Sequence, residues 1–155
     1  GDDFSDEELQ DACRYVNADK LIDKLPSGYD EEVRERGNNF SAGERQLLSF
    51  ARTVIHKPRV MILDEATANI DTETEVLIQD SLNKMRNVGT MLIVAHRLST
   101  VQHADNIIVM SHGQIIEQGN HNELLKQKGR YYKLYTIQYD KDARLAKLKQ
   151  SEAAE

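Results

Sequence analysis

Residues 60–65 read VMILDE, a run of four apolar residues that ends in two adjacent carboxylates, Asp64 and Glu65. An apolar run this short is typical of a buried β-strand. Open α/β sheets bind their ligands at the carboxyl ends of their strands, which is where these two acids lie. The stretch therefore predicts an α/β fold with a functional site at the end of this strand.

A second apolar run, MLIVA at residues 91–95, is followed by His96. Between the two runs, the pattern T-x-x-E from Thr72 predicts a capped helix over about 73–86. Strand, helix, strand, with both strands apolar throughout, indicates a right-handed βαβ unit with parallel strands. Parallel neighbours end at the same edge of a sheet, so we expect His96 to lie near Glu65.

Capping patterns, helical spacing and turn residues predict the remaining elements. They are helices over about 6–17 and 18–25, a surface loop at 29–39, a helix from the cap at Ser41 to shortly before Pro58, strands at 106–110 and 114–117 that form a hairpin, and helices at 121–127 and 131–139. Two or three parallel strands are fewer than a doubly wound sheet usually has. The chain therefore resembles the second half of a larger α/β domain.

Composition limits the possible functions. The 155-residue chain carries a net charge of -6, which argues against a nucleic-acid partner. No apolar run approaches the roughly 20 residues of a membrane span. Cys13 is the one cysteine, so the chain has no disulfide framework. Its place on the apolar face of the first predicted helix favours a core residue over a reactive thiol.

The two acids suit the hydrolysis of a nucleoside triphosphate. Neighbouring strand residues point to opposite faces, so one acid can hold Mg²⁺ while the other positions or deprotonates the attacking water. His96 can hydrogen-bond a γ-phosphate or orient that water. Alternatively, Asp64 or Glu65 caps a turn and His96 bonds the backbone at the end of its strand. These residues alone leave both interpretations open.

Residues 41–44, SAGE, open a helix. Helix N-termini bind phosphate through free N–H groups and the helix dipole. Ser41 adds a hydroxyl group, and Gly43 allows a ligand to approach the backbone closely. The alternative is plain capping of the helix by Ser41 and Glu44, which this motif alone favours.

The order of these motifs resembles that of ATP-binding cassette (ABC) transporters. The matching segments are NNFSAGERQ at 38–46 for the signature motif, 60–65 for the Walker B strand with its catalytic glutamate, ANID at 68–71 for the D-loop, and His96 for the switch histidine. The loop at 32–37 is similar to the one that, in exporters, precedes the signature and senses the transmembrane domain. The resemblance covers about residues 5–139 and indicates the multidrug, lipid or peptide exporter type.

The resemblance implies an α/β fold with a partial P-loop NTPase-like parallel sheet and a helical subdomain at the start of the chain. Residues 1–57 would belong to that helical signature subdomain. Residues 58–139 would form the C-terminal half of a RecA-like ATPase core, and residues 140–155 a charged tail.

The same resemblance implies roles for the residues at the strand ends. Asp64 would hold Mg²⁺ through water, Glu65 would polarise the attacking water, and His96 would contact the γ-phosphate of ATP. The complete protein would be an ATPase that drives export through a partner transmembrane domain. It would lie at the cytoplasmic face of the cell membrane as part of an integral membrane transporter.

A second nucleotide-binding domain is the other partner that the resemblance implies. In the signature segment, Ser41 and Gly43, with Ala42 and Glu44 beside them, would contact the γ-phosphate of an ATP bound to the opposite subunit. Asp71 would link the two sites across a head-to-tail dimer.

Two departures from the family pattern bear on activity. The chain contains no G-x-x-x-x-G-K-[ST] phosphate loop, and the family's adenine-stacking aromatic and Q-loop glutamine lie upstream of a signature motif. We therefore expect a piece of a longer protein that is inactive by itself. A non-hydrolysing module for ATP-gated dimerisation or regulation is the alternative.

The second departure is the signature itself, which reads FSAGE at residues 40–44 where the family norm is LSGGQ. Ala42 adds a methyl group where a backbone should approach phosphate. Glu44 places a negative charge near an anion, and the repulsion at about 5 Å reaches about 3 kcal/mol at most for an effective dielectric of about 20. This predicts a heterodimeric exporter in which the chain supplies an intact catalytic carboxylate to one site and a weakened signature to the other.

Overall fold

The computed structural model describes residues 4–64, 70–95 and 98–140, which fall into two compact units on either side of residues 96–97. The first unit contains α1 (Asp6–Tyr15), α2 (Asp19–Ile22), short 3₁₀ turns at Gly28–Asp30 and Glu35–Gly37, α3 (Ala42–Ile55), β1 (Val60–Asp64), α4 (Thr72–Met85) and β2 (Thr90–Val94). The predicted helices and strands of this part are confirmed, although α2 is shorter than expected.

Strands β1 and β2 pair in parallel, with Val60 opposite Thr90 and Asp64 opposite Val94. The predicted βαβ unit is therefore confirmed. Strand alternation turns Met61 toward the core, whereas the opposite face of the pair exposes large apolar residues. Ile62 retains 72% of its surface. One face of the sheet packs on helices, and the other is bare in the part of the chain described.

Helices α1, α3 and α4 enclose the core of the first unit together with the inner face of the sheet. Its most deeply buried side chains include Val16, Leu47, Phe50, Ile78 and Met85. Cys13 belongs to the same core, as its helical position predicts, and burial raises the pKa of its thiol. Side chains from both sides of residue 57 thus share one core, and the subdomain division at that residue stays a prediction.

The second unit contains α5 (Leu98–Val101), β3 (Ile107–Ser111), β4 (Gln114–Gly119), α6 (His121–Gln127) and a helix over residues 130–140, called α7 below. Strands β3 and β4 form the predicted antiparallel hairpin. Its turn places His112 and Gly113 at positive φ, which suits a tight two-residue hairpin turn. Within the described ranges, β1 and β2 are the parallel pair, and β3 pairs with β4 instead.

The start of α7 is capped from a distant strand. The carboxylate of Glu117 in β4 accepts hydrogen bonds from the N–H groups of Arg130 and Tyr131. Gly129 makes room for it, because a Cβ atom there would overlap that carboxylate. Of the predicted charged tail at 140–155, Asp140 is the last residue of α7, and residues 141–155 lie outside the described part of the chain. No described helix has the length and apolar character required to cross a membrane.

Candidate functional site

Asp64 is the last residue of β1 and is exposed at the carboxyl end of the parallel pair. This is the position that the sequence predicts for a ligand site. Its carboxylate offers the hard oxygen ligands that Mg²⁺ prefers. Glu65 and His96, the two predicted catalytic residues, lie outside the described residues, as do Ala68 and Asn69 of the predicted D-loop at 68–71.

The signature segment, residues 41–44, forms the predicted capping box at the start of α3. The Ser41 hydroxyl accepts a hydrogen bond from the N–H of Glu44 at 3.2 Å. In return, the N–H of Ser41 donates to Glu44 Oε2 at 2.7 Å. The N–H of Ser41 is therefore engaged within the helix start, whereas its hydroxyl group accepts there and keeps its own O–H to donate to a phosphate.

This box determines what the helix start can offer an anion. Ala42 and Gly43 occupy the first two helical positions, where N–H groups have no acceptor within the helix. Those two N–H groups are suited to a phosphate oxygen. The carboxylate of Glu44 accepts a hydrogen bond from the neighbouring N–H of Ser41, so its negative charge opposes an anion at the same helix start.

Gly43 is buried against the first turn of α4. A Cβ atom at this position would lie 2.5 Å from Thr74 Cγ2 and 3.0 Å from Ile70 Cγ2. Side chains of the chain itself thus occupy the space that a side chain at Gly43 would need. The sequence suggests a glycine for close approach of a ligand, whereas in the structure this side of Gly43 is filled by α4.

Asp71 is the N-cap of α4, where the sequence suggested Thr72. That expectation was wrong because the carboxylate of Asp71 reaches the N–H of Thr74, at 2.9 Å, and so fulfils the capping role one residue earlier. The backbone and side chain of Thr74 hold the pKa of Asp71 below its ordinary value. The predicted link from Asp71 to a second subunit would use the lone pairs of its carboxylate that the cap leaves free.

The loop before the signature is held by side chains that the sequence did not single out. Asn39 closes it, accepting from the N–H of Arg34 at 3.2 Å and donating to the carbonyl of Glu32 at 3.0 Å. Arg45 of α3 reaches back to the carbonyl of Phe40 at 2.6 Å. These contacts fix where the signature segment begins.

A buried polar group ties α1 to the far half of α4. Asn17, at φ 58°, donates from Nδ2 to Ser81 Oγ at 3.0 Å and to Asp80 Oδ2 at 2.8 Å. Ser81 in turn donates to the carbonyl of Val16 at 2.6 Å. No local pattern announces this network, since its partners lie more than sixty residues apart.

The structure thus brings some predicted site residues together. Thr74 connects Gly43 with Asp71. Its γ-methyl group packs against Gly43, and its N–H donates to the capping carboxylate of Asp71. Among the described residues, no hydrogen bond or ion pair joins Asp64 to the signature segment. The roles assigned to individual residues from the sequence accordingly stay predictions.

Comparison with known proteins gives a consistent family. A family model described as "ABC transporter" matches residues 4–68. The Streptococcus pneumoniae protein exp8, whose name describes an ABC transporter ATP-binding protein, is 57% identical over 86% of this chain and 23% of its own length. The Bacillus subtilis protein YheH, named as a probable multidrug resistance ABC transporter ATP-binding/permease protein, is 49% identical over 87% of this chain and 20% of its own.

A solved structure of a bacterial Atm1-family ABC exporter with ATP bound superimposes with a TM-score of 0.76 and 41% sequence identity. The superimposed part covers 86% of this chain and 23% of that exporter's chain. The chain therefore spans about a quarter of the length of the relatives that it matches. Sequence, fold and motif order agree: the relatives include exporters named for multidrug export, the partial P-loop NTPase-like fold matches this Atm1-family exporter, and the chain belongs to the ABC transporter family.

Proposed function

We propose that this chain forms the C-terminal part of the nucleotide-binding domain of an ABC exporter, and that the complete protein hydrolyses ATP to drive export. The observation that carries this proposal is the exposed Asp64 at the carboxyl end of a parallel βαβ unit whose α4 packs on the signature helix α3. The names and the identity of the relatives support the same function.

The residues divide the work of hydrolysis. Asp64 would hold Mg²⁺ through water, and the ion would supply positive charge that offsets the negative charge of the phosphates. Glu65 orients the attacking water and accepts its proton. His96 hydrogen-bonds the terminal phosphate. Strands β1 and β2 are parallel and end opposite each other, at Asp64 and Val94. We therefore expect the residues that follow these two strands to meet at one sheet edge.

Substitution of Glu65 tests this proposal in the complete transporter. Glu65→Gln keeps the size of the side chain and removes the base, so we expect multiple-turnover hydrolysis to fall about 100-fold or more while ATP binding persists. Glu73→Gln removes an exposed carboxylate from the first turn of α4 and serves as the matched control. Wild-type turnover in the Glu65→Gln protein would remove Glu65 from the mechanism.

The signature segment serves a nucleotide on a second nucleotide-binding domain, and a non-identical partner is the arrangement that we favour. In the capping box, the Ser41 hydroxyl accepts a hydrogen bond from the N–H of Glu44, and the Glu44 carboxylate accepts one from the N–H of Ser41. A phosphate at this helix start must displace or tolerate that carboxylate, which weakens the site. A partner with its own signature would then serve the site that contains Glu65.

Restoring the family norm tests the weakened signature. Glutamine at the third helical position also completes a capping box, so Glu44→Gln removes the charge and keeps the cap. Combined with Ala42→Gly, it should raise site-resolved turnover at the partner's nucleotide. The control is Glu8→Gln, the same exchange in the box of α1. Unchanged turnover at the partner's site would end the heterodimer proposal.

The complete protein would include a transmembrane domain and lie at the cytoplasmic face of the membrane. The loop at residues 32–37, closed by Asn39, is the segment that we expect to contact the transmembrane domain. Cysteine pairs that join this loop to the cytoplasmic ends of the transmembrane helices should cross-link in the intact transporter. Cross-links that form only at distant surface positions would contradict this placement.

A further inference from the structure

We propose that Gly43 and Thr74 form a packing joint that fixes the signature segment to the start of α4, so that Thr74 is a positioning residue for the signature. The consequence for turnover rests on the proposed function, whereas the joint itself does not. Its two sides are the backbone of Gly43 in α3 and the γ-methyl group of Thr74 in α4.

The joint is tight enough to require glycine. The position of a Cβ atom on Gly43 is 2.5 Å from Thr74 Cγ2 and 3.0 Å from Ile70 Cγ2, distances that side chains in a packed protein do not hold without displacement. Gly43 lies in the ordinary right-handed helix of α3. Space, and not an unusual backbone conformation, is therefore what excludes a larger residue.

Thr74 connects two functional segments at once. Its N–H group donates to Asp71 Oδ1 at 2.9 Å, so it fixes the cap formed by the last residue of the predicted D-loop. Its γ-methyl group packs on the signature. A shift of the segment around Asp71 is therefore passed to Gly43 through one residue and not through a flexible loop.

The opposite end of α4 is also held. The amide of Asn17 donates to Ser81 Oγ, and the hydroxyl of Tyr15 donates to the carbonyl of Lys84 at 2.7 Å. The helical part before residue 57 thus grips α4 near both ends. Helix α4 and the signature helix α3 accordingly behave as one body, and the signature follows α4 when the D-loop moves.

Two explanations of Gly43 make different predictions. If its role is to let a ligand reach the backbone, a methyl group on residue 43 harms turnover whatever occupies position 74. If its role is the joint, removing the opposing methyl group should relieve the harm. Thr74→Ser removes Cγ2 and retains the hydroxyl, which leaves Ile70 Cγ2 at 3.0 Å and the Cβ of residue 74 at 3.4 Å as the nearest atoms.

The experiment is a double-mutant cycle in the complete transporter, with Gly43→Ala, Thr74→Ser and their combination. Hydrogen–deuterium exchange of residues 41–50 and 70–80 without nucleotide reports the joint, and ATP turnover reports its effect. We expect Gly43→Ala to speed exchange about 5- to 100-fold and to lower turnover. The double variant should return both readouts to within about 3-fold of Thr74→Ser alone.

Thr72→Ser, at an exposed position in the same first turn, is the control and should not rescue Gly43→Ala. The joint would be overturned if Gly43→Ala exchanged hydrogen at the wild-type rate. It would also be overturned if the double variant exchanged as fast as Gly43→Ala alone. Rescue of exchange without rescue of turnover would overturn the positioning role and assign Gly43 to the ligand. A wild-type transporter that hydrolyses no ATP would reject the proposed function, while exchange still decides the joint.

If Gly43→Ala fails to accumulate, Thr74 can be tested alone. Thr74→Ser loses the γ-methyl group and should loosen the joint. Thr74→Val keeps a methyl group there, so its hydrogen exchange in residues 41–50 and 70–80 should be slower than that of Thr74→Ser. The reverse order would overturn the proposal.

Discussion

The first turns of α1 and α3 have the same cap and different surroundings. In α1, Ser5 and Glu8 exchange hydrogen bonds at 3.0 and 3.2 Å. In α3, Ser41 and Glu44 do so at 2.7 and 3.2 Å. Cap geometry therefore cannot distinguish a helix start with a proposed nucleotide role from one without.

The second helical position makes the difference. In α1 it is Glu7, an exposed acid in a first turn that also contains Asp6 and Glu8. In α3 it is Gly43, which is buried against α4. Three acidic side chains at the start of α1 repel a phosphate, whereas the start of α3 carries one, Glu44, and offers the N–H groups of Ala42 and Gly43. The lesson is that ligand competence depends on tertiary surroundings, although the cap itself is local.

The largest expected effect separates a buried leucine of α3 from an exposed leucine of α1. Leu47 of α3 is 1% exposed, whereas Leu9 of α1 is 42% exposed. Leu47→Ala should therefore lower the free energy of unfolding by about 2–5 kcal/mol because it leaves a cavity in a packed core. Leu9→Ala should cost less than about 1 kcal/mol. Urea denaturation of the complete ATP-binding domain measures both, and equal losses would show that α1 is as much a core helix as α3.

The next effect concerns the tie between α1 and α4. Asn17→Gly keeps the positive φ at this position and removes only the amide, so Ser81 and Asp80 lose a partner. We expect a loss of about 1–3 kcal/mol, the cost of a buried hydrogen-bonding group without its partner. Faster hydrogen exchange in α4 should accompany it. Unchanged exchange there would mean that packing alone holds α1 on α4.

These two helices also show what sequence reasoning could reach. Both capping boxes were predictable because Ser5 with Glu8, and Ser41 with Glu44, lie within one turn of each other. The cap of α4 was assigned to Thr72 because Asp71 and Thr72 are both good capping residues and only the backbone path decides between them. Such local rules fix helix starts to within a residue.

The contacts that the sequence could not predict are those between residues far apart in the chain. The network of Asn17 joins residues more than sixty positions apart, and the packing of Gly43 on Thr74 requires the crossing of two helices. A glycine in a signature-like motif predicts a ligand contact when the motif is considered alone. Its tertiary neighbour offers a second explanation, which no spacing rule contains.

A smaller effect on stability should come with a clear difference in activity. Ser5→Ala and Ser41→Ala each remove one capping hydroxyl, so each should cost about 1 kcal/mol in the free energy of unfolding. ATP turnover of the complete transporter should fall only in Ser41→Ala, because Ser5 has no ligand role. Paired denaturation and turnover measurements test this. An equal loss of turnover in both variants would mean that capping, and not phosphate contact, is what Ser41 contributes.

The smallest expected effect is the response of the α1 cap to acid. The N–H and hydroxyl groups of Ser5 hold the pKa of Glu8 below its ordinary value. A carboxylate with a lowered folded-state pKa stabilises the fold above its unfolded pKa, about 4.3, and loses that contribution as pH falls through the folded value. The loss is small because Glu8 is exposed.

Glu8→Gln tests this response, since glutamine also completes a capping box and does not titrate. Between pH 6 and pH 3, the unfolding midpoint of the wild type should fall further than that of Glu8→Gln, by the contribution of this one group. Parallel curves for the two proteins over that range would contradict the assignment. The start of α1 would then owe its stability to the Ser5 hydroxyl alone. Protonation of Glu8 would not weaken the wild-type capping box relative to that of Glu8→Gln.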